Sequence, residues 1–376
     1  MRSVYLDYAA ATPMDPLVRQ AMEPYFADKF HNPSATYLAA RQVRQDLEWA
    51  RGQNAQCLGA KPAEIVFTAG ATEANNLAIQ GVMRQFPEKE ILVSAIEHES
   101  VLEPAKLFKH RIIPVTQDGI VDLNKLQIMI NPKTVMVSIG LVNNELGVVQ
   151  PIREVAKILN PSTSLGASRR ILLHTDAAQA PNYLDMHVSR LGVDLMSING
   201  GKIYGPKQSG ALYIKAGIKL QPLILGGGQE FNLRSGTENV AAAIGLATAL
   251  KLSQDRRKQE SDRVSRLRTL FVTEIGKKLP KAIINGSKKA YSPHILSVTF
   301  PGQDNERLMM QLDEVGVQVA TGSACAAADE KPSYVLSAIG LSEKDARSTL
   351  RFSFGRYTTV TDIHKTISLL QALAHT

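Results

Sequence analysis

Between Glu64 and Ile198 the chain repeats one pattern: a short apolar run, a turn, then an amphipathic stretch. Ile65 to Phe67 leads into the turn Ala69-Gly-Ala-Thr72 and a helical segment from Glu73 to Gln85. Ile91 to Val93, Ile112-Ile113, Val135 to Val137, Ile171 to Leu173 and Leu195 to Ile198 are further runs of the same kind. Short continuous apolar runs read as strands buried on both faces, and separated by helices they form a mainly parallel sheet. The pattern therefore predicts an α/β domain, a mainly parallel sheet flanked by helices. In such sheets ligands sit beyond the carboxyl ends of the strands, so the residues that close each run are the ones to inspect.

The flanking segments predict a second, smaller unit. With 376 residues the chain exceeds one ordinary domain. Pro13 to Phe30 has helical spacing, and Pro33-Ser34 opens a second helix to about Leu58. Asn160 to Arg170 is polar and reads as a surface loop. A long helix starts near Glu238, Ala-rich at first and then charged, as in a connector that leaves one core and enters solvent. Beyond it come the apolar run Ile295 to Phe300, a helix from Asn305 to Val315, Val317 to Ala320, Leu350 to Phe354, and a closing helix carrying Ile363, Ile367, Leu370 and Leu373 on one face. The expectation is a large domain over residues 13–238 and a smaller α+β domain over 239–376, joined by the N-terminal strand in 1–12.

Charge and cysteine usage narrow the function classes. There are 43 basic and 35 acidic residues, a net +8, but the densest basic stretch, Arg256 to Arg268, is interrupted by Glu260 and Asp262. It reads as a solvated helix face, so direct nucleic-acid binding is not expected. Cys57 and Cys325 are far apart and lack metal-type spacing, which suits a reducing cytoplasm. No run of 18 apolar residues exists, so no membrane span is expected.

Several strand ends carry polar residues that could do chemistry. Gly70-Ala71-Thr72 opens a helix whose free N–H groups, with the Thr72 hydroxyl, would cradle a phosphate; a plain helix cap fits equally well. Glu97-His98 follows a strand, where a histidine serves either structure or proton transfer. Asn143-Asn144 places two amides in a turn. Asp176, in His174-Thr-Asp-Ala-Ala-Gln179, ends a strand and could pair with a cationic ring nitrogen or cap the next helix. In Asn199-Gly-Gly-Lys202 two glycines free the backbone and one lysine follows. Near an electrophile in a low-dielectric site such a lysine can form a Schiff base; otherwise it is a surface lysine after a turn. Cys325 lies in a loop of Gly, Ser and Ala without an apolar period, which favours an exposed thiol over a core one. Arg351 is a basic residue inside the apolar run Leu350 to Phe354 and needs an anion, either a structural acid or a substrate carboxylate.

Phosphate cradle, acid, lysine, arginine and loop cysteine together describe a pyridoxal-phosphate site acting on a sulfur amino acid. The chain resembles the cysteine desulfurases of the class V aminotransferase group, with the large-domain architecture of fold type I pyridoxal-phosphate enzymes. The resemblance runs nearly end to end, through Tyr5 to Ala10, Phe30 to Ser34, Gly70 to Glu73, Glu97-His98, Asn143 to Gly147, His174 to Gln179, Lys202 to Lys207, Gly226 to Glu230, Arg234 to Asn239, Thr321 to Cys325 and Leu350 to Phe352. The spacing from Cys325 to Pro332-Ser333 is similar to that of the housekeeping, iron–sulfur-assembly type.

The resemblance implies a role for each position. Lys202 would hold pyridoxal 5'-phosphate and take the substrate's Cα proton; His98 would stack on the ring and shuttle a proton; Asp176 would keep the pyridine nitrogen protonated. Gln179 would bond the phenolic oxygen, and Ala71, Thr72, Asn199 and Gly201 would serve the phosphate, with Thr237 reaching it from the neighbouring subunit of a homodimer. Asn144, beside the cofactor, and Arg351 would hold the substrate carboxylate. Cys325 would attack the sulfur of L-cysteine, keep it as a persulfide and release L-alanine, for delivery to a sulfur-acceptor protein in iron–sulfur cluster assembly or tRNA thiolation. A selenocysteine lyase-like enzyme and a catalytically impaired sulfur-transfer scaffold are the alternatives. The family usually shows Ser-x-His-Lys where this chain has Asn199-Gly200-Gly201-Lys202, glycine where it has Gln208, and threonine where it has Ala11. Asn199 can still donate, but Gly201 offers only its backbone N–H, so weaker cofactor retention is expected.

Overall fold

The structure is a computed structural model and describes residues 3–160, 170–322 and 332–373. Its centre is a seven-stranded sheet in the order β2-β8-β7-β6-β5-β3-β4. The strands are β2 (Ile65–Thr68), β3 (Glu90–Ser94), β4 (Lys109–Ile113), β5 (Thr134–Ser138), β6 (Leu172–Asp176), β7 (Leu195–Asn199) and β8 (Gly210–Ile214). β4, β3, β5, β6 and β7 pair in parallel, and β8 runs antiparallel to both β7 and β2. The predicted apolar runs are these strands, buried along almost their whole length as a doubly covered sheet requires. β8 is the strand that the apolar runs did not announce.

The remaining strands lie around the chain's two ends. β1 (Val4–Tyr5) pairs in parallel with β11 (Val317–Gln318), and β12 (Thr349–Ser353), β10 (Ile295–Thr299) and β9 (Ile283–Asn285) form an antiparallel sheet in that order. Val4 and Leu6 belong to the same apolar cluster as Leu296, Val298, Phe352 and Ile367. The N-terminal strand is thus packed with the C-terminal third.

Three helical expectations change. The stretch from Pro13 to Phe30 is two helices, Pro16–Met22 and Pro24–Ala27: Asp15 caps the first by accepting from the Leu17 N–H, and Pro24, which cannot donate, restarts the chain. The second helix starts at Leu38 rather than at Pro33-Ser34. The long helix, Val240–Lys278, does not end in solvent. Its first half packs through Ala241, Leu246 and Leu250 into the core beneath the large sheet, and Val264, Leu267, Phe271 and Ile275, at helical spacing, enter the second core. A charged face hid the buried stripe. The loop expected over Asn160 to Arg170 lies almost wholly outside the described residues.

Candidate active site

The carboxyl ends of β2, β3, β5, β6 and β7 open onto one cavity of 310 Å³. Ala71, Thr72, His98, Asn144, Asp176, Gln179, Asn199, Lys202 and Arg351 all line it. These residues come from six separate segments; five of them follow strands of the central sheet, which directs those exits to one edge, and Arg351 comes from β12.

Asp176 sits at the cavity floor with its carboxylate fixed. Its Oδ2 accepts from Asn75 Nδ2 at 2.7 Å, and its Oδ1 from the Ala178 N–H at 2.8 Å. Asn75 also donates to Ser100 Oγ, and Ser100 bonds His98 Nδ1 at 2.8 Å. His98 caps the helix Glu99–Lys106, its Nδ1 accepting from the Ser100 N–H, so the ring is held by its Nδ1 edge. Beneath Asp176, His174 lies fully buried between Ser138 and Ser197, and burial drives its pKa down to about 4. It is a neutral pillar joining three strands.

The helix Ala71–Met83 starts at Gly70, whose φ of 124° turns the chain sharply out of β2. The N–H groups of Ala71 and Thr72 have no acceptor among the described residues, which leaves an anion cradle at the helix N-terminus. Gly210 of β8 packs on this turn: a Cβ there would come within 2.6 Å of the Gly70 Cα. Lys202 reaches in from the opposite side, its Nζ at 2.9 Å from the Ala9 carbonyl and also bonded to that of Ala10.

At the cavity's other end Arg351 is buried. Its Nη2 donates to Asp7 at 2.7 Å and its Nη1 to the Asn144 carbonyl at 3.0 Å, while its buried Nε has no partner among the described residues. Of the two anions foreseen as alternatives, this arginine holds the structural acid, present as Asp7. Near it, Glu145 is buried, its carboxyl pushed above the usual range by desolvation and bonded by the Ser333 hydroxyl at 2.6 Å.

Three expected positions stand apart. Gly201 does not line the cavity, and its backbone N–H is spent on Asn199 Oδ1 at 3.0 Å, because Asn199 caps the short helix Gly200–Lys202. The N–H foreseen as free for the phosphate is not free; what remains on that turn is the Asn199 amide nitrogen. Thr237 is exposed, away from the cavity, just before the long helix. Cys325 lies outside the described residues. The other cysteine, Cys57, packs against the core, and burial raises its thiol to about 11, so it is inert.

Glu97 is the residue that motif reading passed over. It is fully buried, with Oε1 accepting from the Gly140 N–H and Oε2 without a partner among the described residues. Burial, aided by the charge of Asp176, pushes its pKa up to about 8. Its position next to His98 in sequence was the available signal, but no property of the sequence marks a glutamate as buried.

The sequence profile of the class-V aminotransferases matches residues 4–366. The chain belongs to the class-V aminotransferase family. Among relatives, it is 40% identical to "Cysteine desulfurase IscS" of Dictyoglomus turgidum, over 99% of this chain and 94% of that one. It is also 40% identical to the human "Cysteine desulfurase", over 98% of this chain and 80% of that one. Among solved structures it superposes on a NifS-like protein from Rickettsia africae with a TM-score of 0.90, at 30% identity and full coverage of both chains. It superposes on SspA in complex with cysteine with a TM-score of 0.81, at 35% identity, covering 95% of this chain and all of that one. The family is pyridoxal-phosphate dependent, and this class-V member's cavity fits that cofactor: an open helix N-terminus for a phosphate, a fixed carboxylate at the floor and a lysine at the wall.

Proposed function

We propose that this protein is a pyridoxal-phosphate-dependent cysteine desulfurase that converts L-cysteine to L-alanine and keeps the sulfur as a persulfide on Cys325. The observation that carries the reading is the convergence of Lys202, Asp176, the Ala71–Thr72 cradle and Arg351 on one cavity. When bound, the cofactor supplies an electron sink next to the substrate's Cα.

The chain's own residues do the rest. Lys202 would hold the cofactor through Nζ and would serve as the base that takes the substrate's Cα proton. Asp176, held in place by Asn75 and the Ala178 N–H, would pair with the cofactor's ring nitrogen. Ala71, Thr72 and the Asn199 amide nitrogen hold the phosphate, Gln179 donates to the ring oxygen, and His98 covers the ring and relays a proton. Arg351, with Asn144 beside it in the cavity lining, would receive the substrate carboxylate, since a buried guanidinium favours a carboxylate partner. The Cys325 thiolate attacks the substrate sulfur: a sulfur–sulfur bond forms, the carbon–sulfur bond breaks, and the carbon, having kept the electron pair, takes a proton to give alanine. A sulfur-acceptor protein, of iron–sulfur assembly or of tRNA thiolation, then draws the outer sulfur. The protein acts as a homodimer in the cytoplasm, with Thr237 completing the neighbour's phosphate site; no helix among the described residues is long and apolar enough to cross a membrane.

Purified protein should show a visible cofactor band that changes on addition of L-cysteine, with alanine and, under reductant, sulfide as products. Cys325→Ala should keep the band and lose sulfide release. A Cys325→Ala variant that still releases sulfide at the wild-type rate sinks the assignment of the nucleophile, and a protein that takes up no cofactor sinks the function.

A further inference from the structure

One buried histidine lies behind the cavity and has no part in the function above. His294 stacks on Tyr183, ring centroids 4.3 Å apart, and is almost wholly buried. Its Nδ1 lies 2.8 Å from Ser292 Oγ, and its Nε2 lies 3.2 Å from Gln179 Oε1. Gln179 in turn donates from Nε2 to the Ala9 carbonyl at 2.9 Å, the same carbonyl that accepts from Lys202.

The polarity of this chain follows from its end. A backbone carbonyl only accepts, so the nitrogen of the Gln179 amide must face Ala9 and the oxygen must face His294. His294 Nε2 then has to donate. Burial, with the charge of Arg351 adding to it, pushes the His294 pKa down to about 3, so the ring is neutral and carries one hydrogen. With that hydrogen on Nε2, Nδ1 accepts from the Ser292 hydroxyl. Gln179 Nε2 has two hydrogens and spends one on Ala9; the other is left for the cavity that Gln179 lines.

We propose that His294 is a positioning residue that locks the Gln179 amide in the orientation that presents N–H, not C=O, to the cofactor's ring oxygen. The inference rests on the reading of the cavity as a pyridoxal-phosphate site. An unlocked amide could rotate and set its oxygen against another oxygen, which loses a donor and adds a repulsion. The high-pH form of the bound cofactor concentrates negative charge on that ring oxygen, so loss of the donor disfavours it.

His294→Phe keeps the ring stack on Tyr183 and removes the donor. Apoprotein of this variant, titrated with pyridoxal phosphate, should bind about three- to tenfold more weakly. The pH midpoint of the bound cofactor's absorbance change should rise by about 0.5–1 unit. His294→Gln, which restores an N–H, should return both values toward wild type, a rescue that a purely space-filling role does not predict. A phenylalanine variant with wild-type affinity and midpoint overturns the proposal while leaving the function intact; wild-type protein that takes up no cofactor overturns both. Nitrogen-15 NMR of histidine-labelled wild-type protein, which needs no variant to fold, should show the His294 ring protonated at Nε2. Protonation at Nδ1 instead overturns the proposal.

Discussion

Glu97 and Gly201 show what single residues contribute to this site. Glu97 titrates near 8 in the fold against an ordinary 4.5. Below 4.5 the folded and unfolded chains both hold its proton; above it the unfolded chain releases the proton and the folded chain retains it until about 8. Its burial therefore lowers stability progressively as pH rises through that window. Glu97→Gln has no proton to exchange, so it should gain on wild type between pH 4.5 and pH 8, measured by chemical denaturation at both ends. A difference between the two proteins that stays constant with pH contradicts the buried, protonated carboxyl. Gly201 lies outside the left-handed region, and a Cβ there would meet nothing nearer than Asn199 Oδ1 at 3.5 Å. Gly201→His should therefore be accommodated, and its ring, on the turn before Lys202, can add a donor to the phosphate. Cofactor affinity should rise by roughly ten- to a hundredfold if one charge-assisted hydrogen bond is regained. Unchanged affinity would mean that the Asn199 amide already serves that oxygen. The fold brings Lys202, Asp176 and Arg351 to one cavity, and all three were singled out in the sequence, each with a structural reading beside the chemical one. Glu97 and His294 were not, since burial arises only when distant segments close over them.

At the scale of elements, a kinked segment after Gly226 to Gly228 holds the helix Leu38–Leu58 to the sheet. Glu230, Phe231 and Asn232 all have positive φ, from 47° to 63°, an arrangement that non-glycine residues adopt only under compulsion. The compulsion is Arg51. Its guanidinium, from the helix Leu38–Leu58, makes two 2.8 Å bonds to the buried Glu230 carboxylate and a third to the Ile65 carbonyl, and it lies between the rings of Phe67 and Phe231, 4.9 Å from each. Glu230 also accepts from the Phe67 N–H at 2.7 Å, tying helix, kink and β2 together. Glu230→Gln strands a buried guanidinium and should destabilise the protein by about 3–5 kcal/mol, read as a lowered urea midpoint; replacing both partners by apolar residues should cost much less. A single variant as stable as wild type would show that Glu48, the other acid against Arg51, suffices. Gln208, at a position where the resemblance implies glycine, has a φ of 55°, a left-handed turn that glycine adopts without strain. The helices and central strands were legible through their periods. The antiparallel β8, the kink at 230–232 and the second core under the charged helix were not, because each depends on a partner far away in sequence.

The whole molecule poses the question of assembly. Thr237 lies exposed and away from the cavity of its own chain, so if it serves a phosphate it does so in trans. Phe30, Tyr37, Leu38, Trp49, Leu225 and Phe231 are exposed apolar side chains, the kind of residue that subunit interfaces gather. Mixed dimers separate the two possibilities. In a dimer of one Lys202→Ala subunit and one Thr237→Val subunit, trans action gives a site with the second subunit's Lys202 and the first subunit's Thr237, which is wild type. Cis action leaves each of the two sites with one defect. Unfolding the two variants together and refolding them should therefore restore tight cofactor binding and sulfide release above the sum of the separately refolded variants. Titration with limiting pyridoxal phosphate should reveal one high-affinity site per mixed dimer. Activity no greater than the sum would confine Thr237 to its own chain, and with the cavity geometry as it stands that would remove it from the phosphate site altogether.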